Sequence, residues 1–210
     1  MLSKRAARER KRQEQQTPDA IAAAAAAATA EAEEKRVQRR LRDAADAETL
    51  RAWSIKDDKD EPCTLIDIGA NLVKVKGDGA LEEQLRRCAL TGVTRVLVTG
   101  TALNSSQRAL DLVRKVRSSR PNLAVEVFST AGVHPHDAKS YKPQHTVAAL
   151  RELLSAPECV AVGETGLDYD RMFSPREVQI QSFEEHARLA VELNKPLFLH
   201  ERDLDPGKGP

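Results

Sequence analysis

Five short apolar runs, separated by stretches of helical periodicity, constrain this chain more than any other feature. The runs are Thr64 to Gly69, Thr94 to Thr99, Ala124 to Val133, Cys159 to Gly163 and Pro196 to His200. Each is strand-sized and nearly all apolar, the pattern of strands covered on both faces. Between them, helical spacing links Leu81, Leu85, Cys88 and Ala89, then Ala109, Leu112, Val113 and Val116. It recurs in Val147, Leu150, Leu153 and Leu154, and in Val178, Phe183, Ala187, Ala190 and Leu193. Asn104 or Ser105 can cap the second helix, and Ser174-Pro175-Arg176-Glu177 has the form of a capping box before the fourth. Strands alternating with helices predict a parallel sheet, because parallel neighbours need a crossover and a helix supplies it. Two α/β architectures fit: a doubly wound open sheet, or the first part of an eight-stranded barrel.

The chain before this pattern is different. Residues 1–60 carry almost no large apolar side chains and read as a low-complexity extension rich in Ala, Arg and Glu. A basic cluster runs from Lys4 to Arg12, suited to a solvated tail, to nuclear targeting or to nucleic-acid contact. Thr17 and Pro18 form a helix start, and the alanines that follow favour a helix. Glu31 and Lys35 stand four apart in the favourable order. Its apolar stripe is only Val37, Leu41 and alanines, so a lone, partly frayed helix is expected. Residues 61–206 form the folded region, and 207–210 a short tail without helical or strand pattern.

Composition narrows the classes. Lys and Arg number 33 against 32 acids, so a nucleic-acid footprint would be local. Cys63, Cys88 and Cys159 lie far apart, with no CxxC spacing and no secretory segment ahead of them. Reduced thiols inside the cell follow, in cytoplasm or nucleus. Glu9 and Glu14 speak against a mitochondrial presequence. No apolar run is long enough to span a membrane.

In parallel α/β folds the chemistry gathers at the C-terminal ends of strands. Here the first strand leads into Asp67 to Asn71, the third into His134-Pro135-His136-Asp137, the fourth into Glu164 to Tyr169, and the fifth into His200 to Asp203. Glu164 and His200 are the sharpest candidates, since a carboxylate and an imidazole on neighbouring strand ends can hold a divalent metal such as Zn²⁺, Mn²⁺ or Mg²⁺. The alternatives are a loop-capping carboxylate and a core histidine. His134 and His136 could bind metal or phosphate, or merely border a rigid turn. Asp67 could be a buried acid or a ligand. Arg202 could fork onto a phosphate or pair with Asp168 or Asp203. Asp168 and Tyr169 could line the pocket mouth or shape the loop. His145 and His186 read as structural or solvated. No nucleophile elbow, phosphate-binding glycine loop or cysteine metal cluster is present.

Four segments taken together resemble the TatD family of metal-dependent deoxyribonucleases. They are Ile66-Asp67-Ile68-Gly69-Ala70-Asn71-Leu72, Gly132-Val133-His134-Pro135-His136, Val162-Gly163-Glu164-Thr165-Gly166-Leu167-Asp168-Tyr169 and Lys195-Pro196-Leu197-Phe198-Leu199-His200-Glu201-Arg202-Asp203. The resemblance implies a TIM-barrel-like (β/α)8 amidohydrolase fold, truncated here to about five strands with an N-terminal extension. It implies divalent-metal-dependent hydrolysis of DNA, as a 3′-5′ exonuclease. It implies Glu164 as a ligand shared between two ions, His200 as a ligand of one, and catalytic parts for His134 and Arg202. His136, Asp168 and Arg202 would contact substrate.

Two departures matter. Many family members carry a His-x-His pair where this chain has Gly69 and Asn71, which puts one metal site in doubt. The family also continues past the fifth strand, with three more strands, a further histidine ligand and an aspartate in a Thr-Asp-x-Pro context. Five strands cannot close an eight-stranded barrel, and the fifth would be left as an apolar edge. Weak Mn²⁺ or Mg²⁺ binding is therefore expected. Two further readings stand beside the nuclease: a non-catalytic half-barrel that binds a partner or itself through the open edge or the N-terminal helix, and a metal-dependent hydrolase of a small amide or ester.

Overall fold

The computed structural model describes residues 18–52, 55–61 and 63–203. The basic cluster Lys4 to Arg12, the predicted cap Thr17 and the tail 207–210 lie outside them. The chain divides after Ala52 into two compact units.

The first unit is one helix, α1 (Pro18–Ala52), of 35 residues. It runs unbroken where fraying was expected. Alanine supplies the intrinsic preference, and pairs such as Lys35–Glu31 and Arg36–Glu33 stitch its surface. Ile21 and Val37 stay exposed, in keeping with the thin apolar stripe.

The second unit follows the predicted alternation: β1 (Leu65–Ala70), α2 (Asp78–Leu90), β2 (Val93–Val98), α3 (Leu103–Ser119), β3 (Glu126–Ala131), α4 (Pro143–Leu154), β4 (Cys159–Asp168), α5 (Arg176–Leu193) and β5 (Leu197–Arg202). Short 3₁₀ turns occupy Leu72–Lys74 and Pro135–Ser140. All neighbouring strands are parallel, and the sheet order is β1-β2-β3-β4-β5. Each strand is laid beside its predecessor and the winding never reverses. A doubly wound sheet would reverse it, so the strands form a half-barrel.

The core lies between sheet and helices. Leu81 and Leu85 of α2 and Val113 of α3 meet Val96, Val98 and Val127 of the sheet. Leu150 and Leu154 of α4 and Leu189 of α5 meet Ala131 and Val162. Each such side chain contributes about 1.5–3 kcal/mol on burial.

Several local expectations are corrected. β4 continues to Asp168, beyond the predicted end at Gly163, by pairing residues 165–168 with β5. Glu164 and Asp168 therefore sit within a strand. On α5 the buried positions are Gln179, Ser182, His186, Leu189 and Ala190, a face rotated from the apolar set read in the sequence. Ser174 caps nothing: its hydroxyl donates to the His136 carbonyl and accepts from Lys139 N–H. At the start of α3, Ser105 acts from inside the first turn, accepting from Thr101 N–H and Ala102 N–H. The edge strands are not covered on both faces. Ile66 and Ile68 on β1 and Leu199 on β5 are exposed, because each edge strand lacks a neighbour.

Strands β3 and β4 approach closely at the site. A Cβ on Gly132 would lie 2.5 Å from Gly163 Cα. Gly163 has φ +136°, and a Cβ there would lie 2.2 Å from the Phe198 carbonyl oxygen. Only glycine serves at both positions.

Candidate metal centre

The titratable groups converge where β3, β4 and β5 end. The register of β4 on β5 sets Gly166 beside His200 and Asp168 beside Arg202. Residues two apart share a face of a strand, so His200 and Arg202 point together while Leu199 and Glu201 turn away. His134 leaves β3 as the cap of the 3₁₀ turn, and its position is fixed by its N–H donating to the Thr101 carbonyl (2.9 Å). Glu164 is held likewise, its N–H donating to the Gly100 carbonyl (2.8 Å).

Among the described residues, His134, His136 and His200 bring ligand atoms within 4.8 Å of one another. Proximity alone would make all three equivalent, but their hydrogen bonds divide them. His136 N–H donates to Nδ1 of His134 (3.1 Å). That nitrogen must carry a lone pair, so the His134 proton sits on Nε2. Nε2 of His134 is 3.2 Å from Nδ1 of His200 and 3.5 Å from Glu164 Oε1, so its proton can be shared with either acceptor. The His200 proton on Nε2 donates to Asp168 Oδ2 (3.1 Å). His200 Nδ1 and Glu164 Oε1 face each other across 3.2 Å; with the His200 proton on Nε2, His200 Nδ1 turns a lone pair toward the carboxylate.

In that tautomer the pair offers two acceptors to a cation. Donor atoms around a tetrahedral ion bound at about 2.0–2.1 Å stand about 3.3 Å apart, so the pair fits a divalent metal. Asp168 holding the far nitrogen of His200 is the carboxylate–histidine arrangement that fixes the tautomer of a metal-binding imidazole. Gly69 and Asn71 add no imidazole: Gly69 lies opposite the Phe198 ring, and Asn71 is exposed.

Asp168 is the anchor. Its side chain is fully buried. Oδ2 accepts from His136 Nε2 (2.6 Å) and His200, while Oδ1 accepts from Arg171 N–H (2.7 Å). Burial alone would raise its pKa, but the bonds from Arg171 N–H, His136 and His200 and the charge of Arg202 outweigh this and bring it to about 2. The bond from His134 holds the Glu164 pKa below its usual value, against the opposing effect of burial. Arg202 Nη1 lies 3.4 Å from Asp168 Oδ2 and is buried without a hydrogen-bond partner. Tyr169 stands apart from this cluster, beneath the Arg176 guanidinium at 4.0 Å.

The cluster thus gathers Glu164, His200, His134, His136, Asp168 and Arg202. Asp67 is not in it: it is exposed and, among the described residues, accepts from Gly69 N–H alone (2.9 Å). His145 is also remote, on exposed α4 surface. Two buried polar residues support the site: Gln179, which the sequence reading did not single out, and His186, which it read as structural or solvated. Gln179, fully buried, accepts from Asp168 N–H (2.8 Å) and donates to the Asp168 and Ser174 carbonyls, fixing the end of β4. His186 is buried too. Its Nε2 accepts from Val133 N–H (3.0 Å) and its Nδ1 donates to the Ser182 carbonyl (2.6 Å), so it supports the backbone beside His134. The signal was available: Gln179, Ser182 and His186 are polar residues on one stripe of an amphipathic helix.

Comparison with known proteins agrees with the fold and the motifs. Residues 66–207 match the family described as TatD related DNase. The 3′-5′ ssDNA/RNA exonuclease TatD of Cronobacter turicensis is 42% identical over 139 residues, 66% of this chain and 49% of that protein. The protein of the same description from Escherichia coli (strain K12) is 40% identical over 139 residues, covering 66% and 50%. This chain spans about half the length of these curated relatives. Among solved structures, a hydrolase TatD family protein from Entamoeba histolytica matches with TM-score 0.56 and 27% identity, over 67% of this chain and 50% of that one. A TatD homologue from Escherichia coli k12 matches with TM-score 0.57 and 26% identity, over 67% and 51%. The half-barrel, its strand-end motifs and these matches agree: the chain belongs to the TatD related DNase family.

Proposed function

We propose that the protein is a divalent-metal-dependent hydrolase of nucleic-acid phosphodiester bonds that trims single strands from the 3′ end. The observation that carries this reading is the facing pair of acceptors, His200 Nδ1 and Glu164 Oε1, flanked by cationic and hydrogen-bonding groups. A divalent ion held by that pair would activate a water and polarise a phosphoryl oxygen. Asp168 holds the His200 proton on Nε2 and so keeps Nδ1 aimed at Glu164. Once an ion takes the lone pairs of His200 Nδ1 and Glu164 Oε1, the His134 Nε2–H that faces them would be freed to donate to a phosphoryl oxygen. His136 and Arg202, both held by Asp168, border the space where that phosphate would lie, and Arg202 brings a positive charge to it. Free Cys63, Cys88 and Cys159 support an intracellular setting, cytoplasmic or nuclear. Among the described residues, no helix is long and apolar enough to cross a membrane.

A second reading, a half-barrel that binds without cleaving and associates through its edges, is favoured by one observation: the exposed Ile66, Ile68 and Leu199 on the outer strands. One assay separates the two. Single-stranded DNA labelled at its 5′ end is incubated with the full chain and Mn²⁺. The nuclease reading expects a ladder shortening from the 3′ end, with at least a hundredfold loss of rate in Glu164→Gln. Intact DNA, or cleavage at the same rate in that variant, sinks it.

A further inference from the structure

Beside the metal centre, a cavity of about 480 Å³ opens where β1 and β2 end, lined by Asn71, Lys74, Lys76, Thr99, Thr101 and Arg108, among others. We propose that it binds a backbone phosphate of the nucleic-acid strand, displaced from the phosphate at the metal centre. The identification of the strand rests on the nuclease reading; the anion preference rests on the cavity itself.

Charge is the first reason. Lys74, Lys76 and Arg108 all line the cavity, and no acidic residue does. All three are exposed, and none takes part in a salt bridge among the described residues. That contrasts with Lys115 and Arg120 near by, which pair with Asp78 and Glu82. In a chain of 33 basic and 32 acidic residues, three cations without an acid form a local field rather than a general one.

The second reason is an unsatisfied group. Thr99 is only 3% exposed and lines the cavity, yet its hydroxyl has no hydrogen-bond partner. A buried hydroxyl left so is costly, and a ligand oxygen would satisfy it. Thr101 and Ser105 add hydroxyls at the first turn of α3, a helix of 17 residues whose positive end favours anions.

The third reason is connection. The strand-end loop carrying Thr99 and Thr101 is the one that accepts from His134 N–H through the Thr101 carbonyl and from Glu164 N–H through the Gly100 carbonyl. The cavity and the metal centre therefore share a backbone framework, and a single extended strand touching both would be held in register. Phosphate contacts of this kind fix position without reading sequence.

The test is a salt titration. Binding of a fluorescein-labelled oligothymidylate to the full chain is followed by anisotropy in EDTA, between 50 and 200 mM salt, so that neither metal nor cleavage contributes. Lys74→Gln, Lys76→Gln and Arg108→Gln are combined; because all three are exposed, the fold is retained, and a thermal melt checks this. The variant should bind at least tenfold more weakly at the lowest salt. Each phosphate contact on a single strand adds about 0.7 to the salt slope, so loss of this contact should make the slope shallower by about 0.7. An unchanged affinity and slope overturns the proposal. So does displacement of the oligonucleotide by millimolar inorganic phosphate alone, which would make this a free-anion site. A chain that binds through these cations but never cleaves would sink the nuclease reading and leave the cavity standing; cleavage with an unchanged slope would do the reverse.

Discussion

Asp168 on β4 and Asp67 on β1 are both strand carboxylates, and both lead into loops on the functional side of the sheet, yet only one is built into a site. Asp168 is fully buried and receives bonds from His136, His200 and Arg171 N–H with Arg202 beside it. Asp67 is exposed and receives one bond, from Gly69 N–H two residues away. Sequence gives the two acids similar surroundings: apolar runs, glycine, a polar loop. Their neighbours in space differ because β4 is flanked on both sides while β1 is an edge. The meaning of an acid here comes from the donors that a finished wall of the sheet brings to it.

The largest expected effect lies in that finished wall. Gly163→Ala would force a Cβ to within 2.2 Å of the Phe198 carbonyl oxygen, at φ +136°. A loss of at least about 3 kcal/mol is expected in chemical denaturation. A loss below about 1 kcal/mol would mean that β4 and β5 can part without cost, and the contrast with β1 would fail.

The two acids can then be compared directly. The Asp168 pKa is lowered from 3.8 to about 2. A lowered carboxylate contributes stability that is complete above the unfolded value and is lost as pH falls through the folded value. That contribution is about 2 kcal/mol at neutral pH. Asp168→Asn should remove it and flatten the stability profile between pH 4 and about 2. Asp67→Asn should change stability by less than about 0.5 kcal/mol, as for other exposed positions. Equal effects from the two substitutions would erase the distinction.

A smaller and separate effect is expected from His186. Burial lowers its pKa below 6.5, despite its bond to the Ser182 carbonyl. The neutral ring is thus the folded form, so its stabilisation is present above pH 6.5 and fades as the solution is acidified below that value. His186→Gln should lower stability by about 1–3 kcal/mol at pH 7, through the unpaired Val133 N–H. It should also abolish the decline just below pH 6.5, well separated from the Asp168 window. A decline that persists in the variant would assign it to another group.

Much of this was legible in the sequence, and the gaps have physical causes. Apolar runs and helical spacing identified every strand and helix of the second unit, because burial imposes those periods. Glu164, His134, His136, His200 and Arg202 could be read as candidates because polar residues at the ends of apolar strands are otherwise hard to explain. The order of the strands could not be read, since both winding schemes use the same local pattern. Nor could the extension of β4 to Asp168, which depends on pairing with β5 across a register shift. The division of labour among three histidines was hidden as well, because it follows from which nitrogen each proton occupies. Gln179 was missed because an apolar periodicity was sought on α5, and a polar stripe was what lay buried there.

The proposed site has His200 and Glu164 holding a divalent ion while His134 donates a hydrogen bond and does not ligate. Calorimetric titration of the full chain with Mn²⁺ tests it most directly, in the native protein and in His200→Ala and His134→Gln. The expected result is weak binding at one site, lost in His200→Ala and retained in His134→Gln. Binding that survives His200→Ala, or that disappears with His134→Gln, would contradict the account.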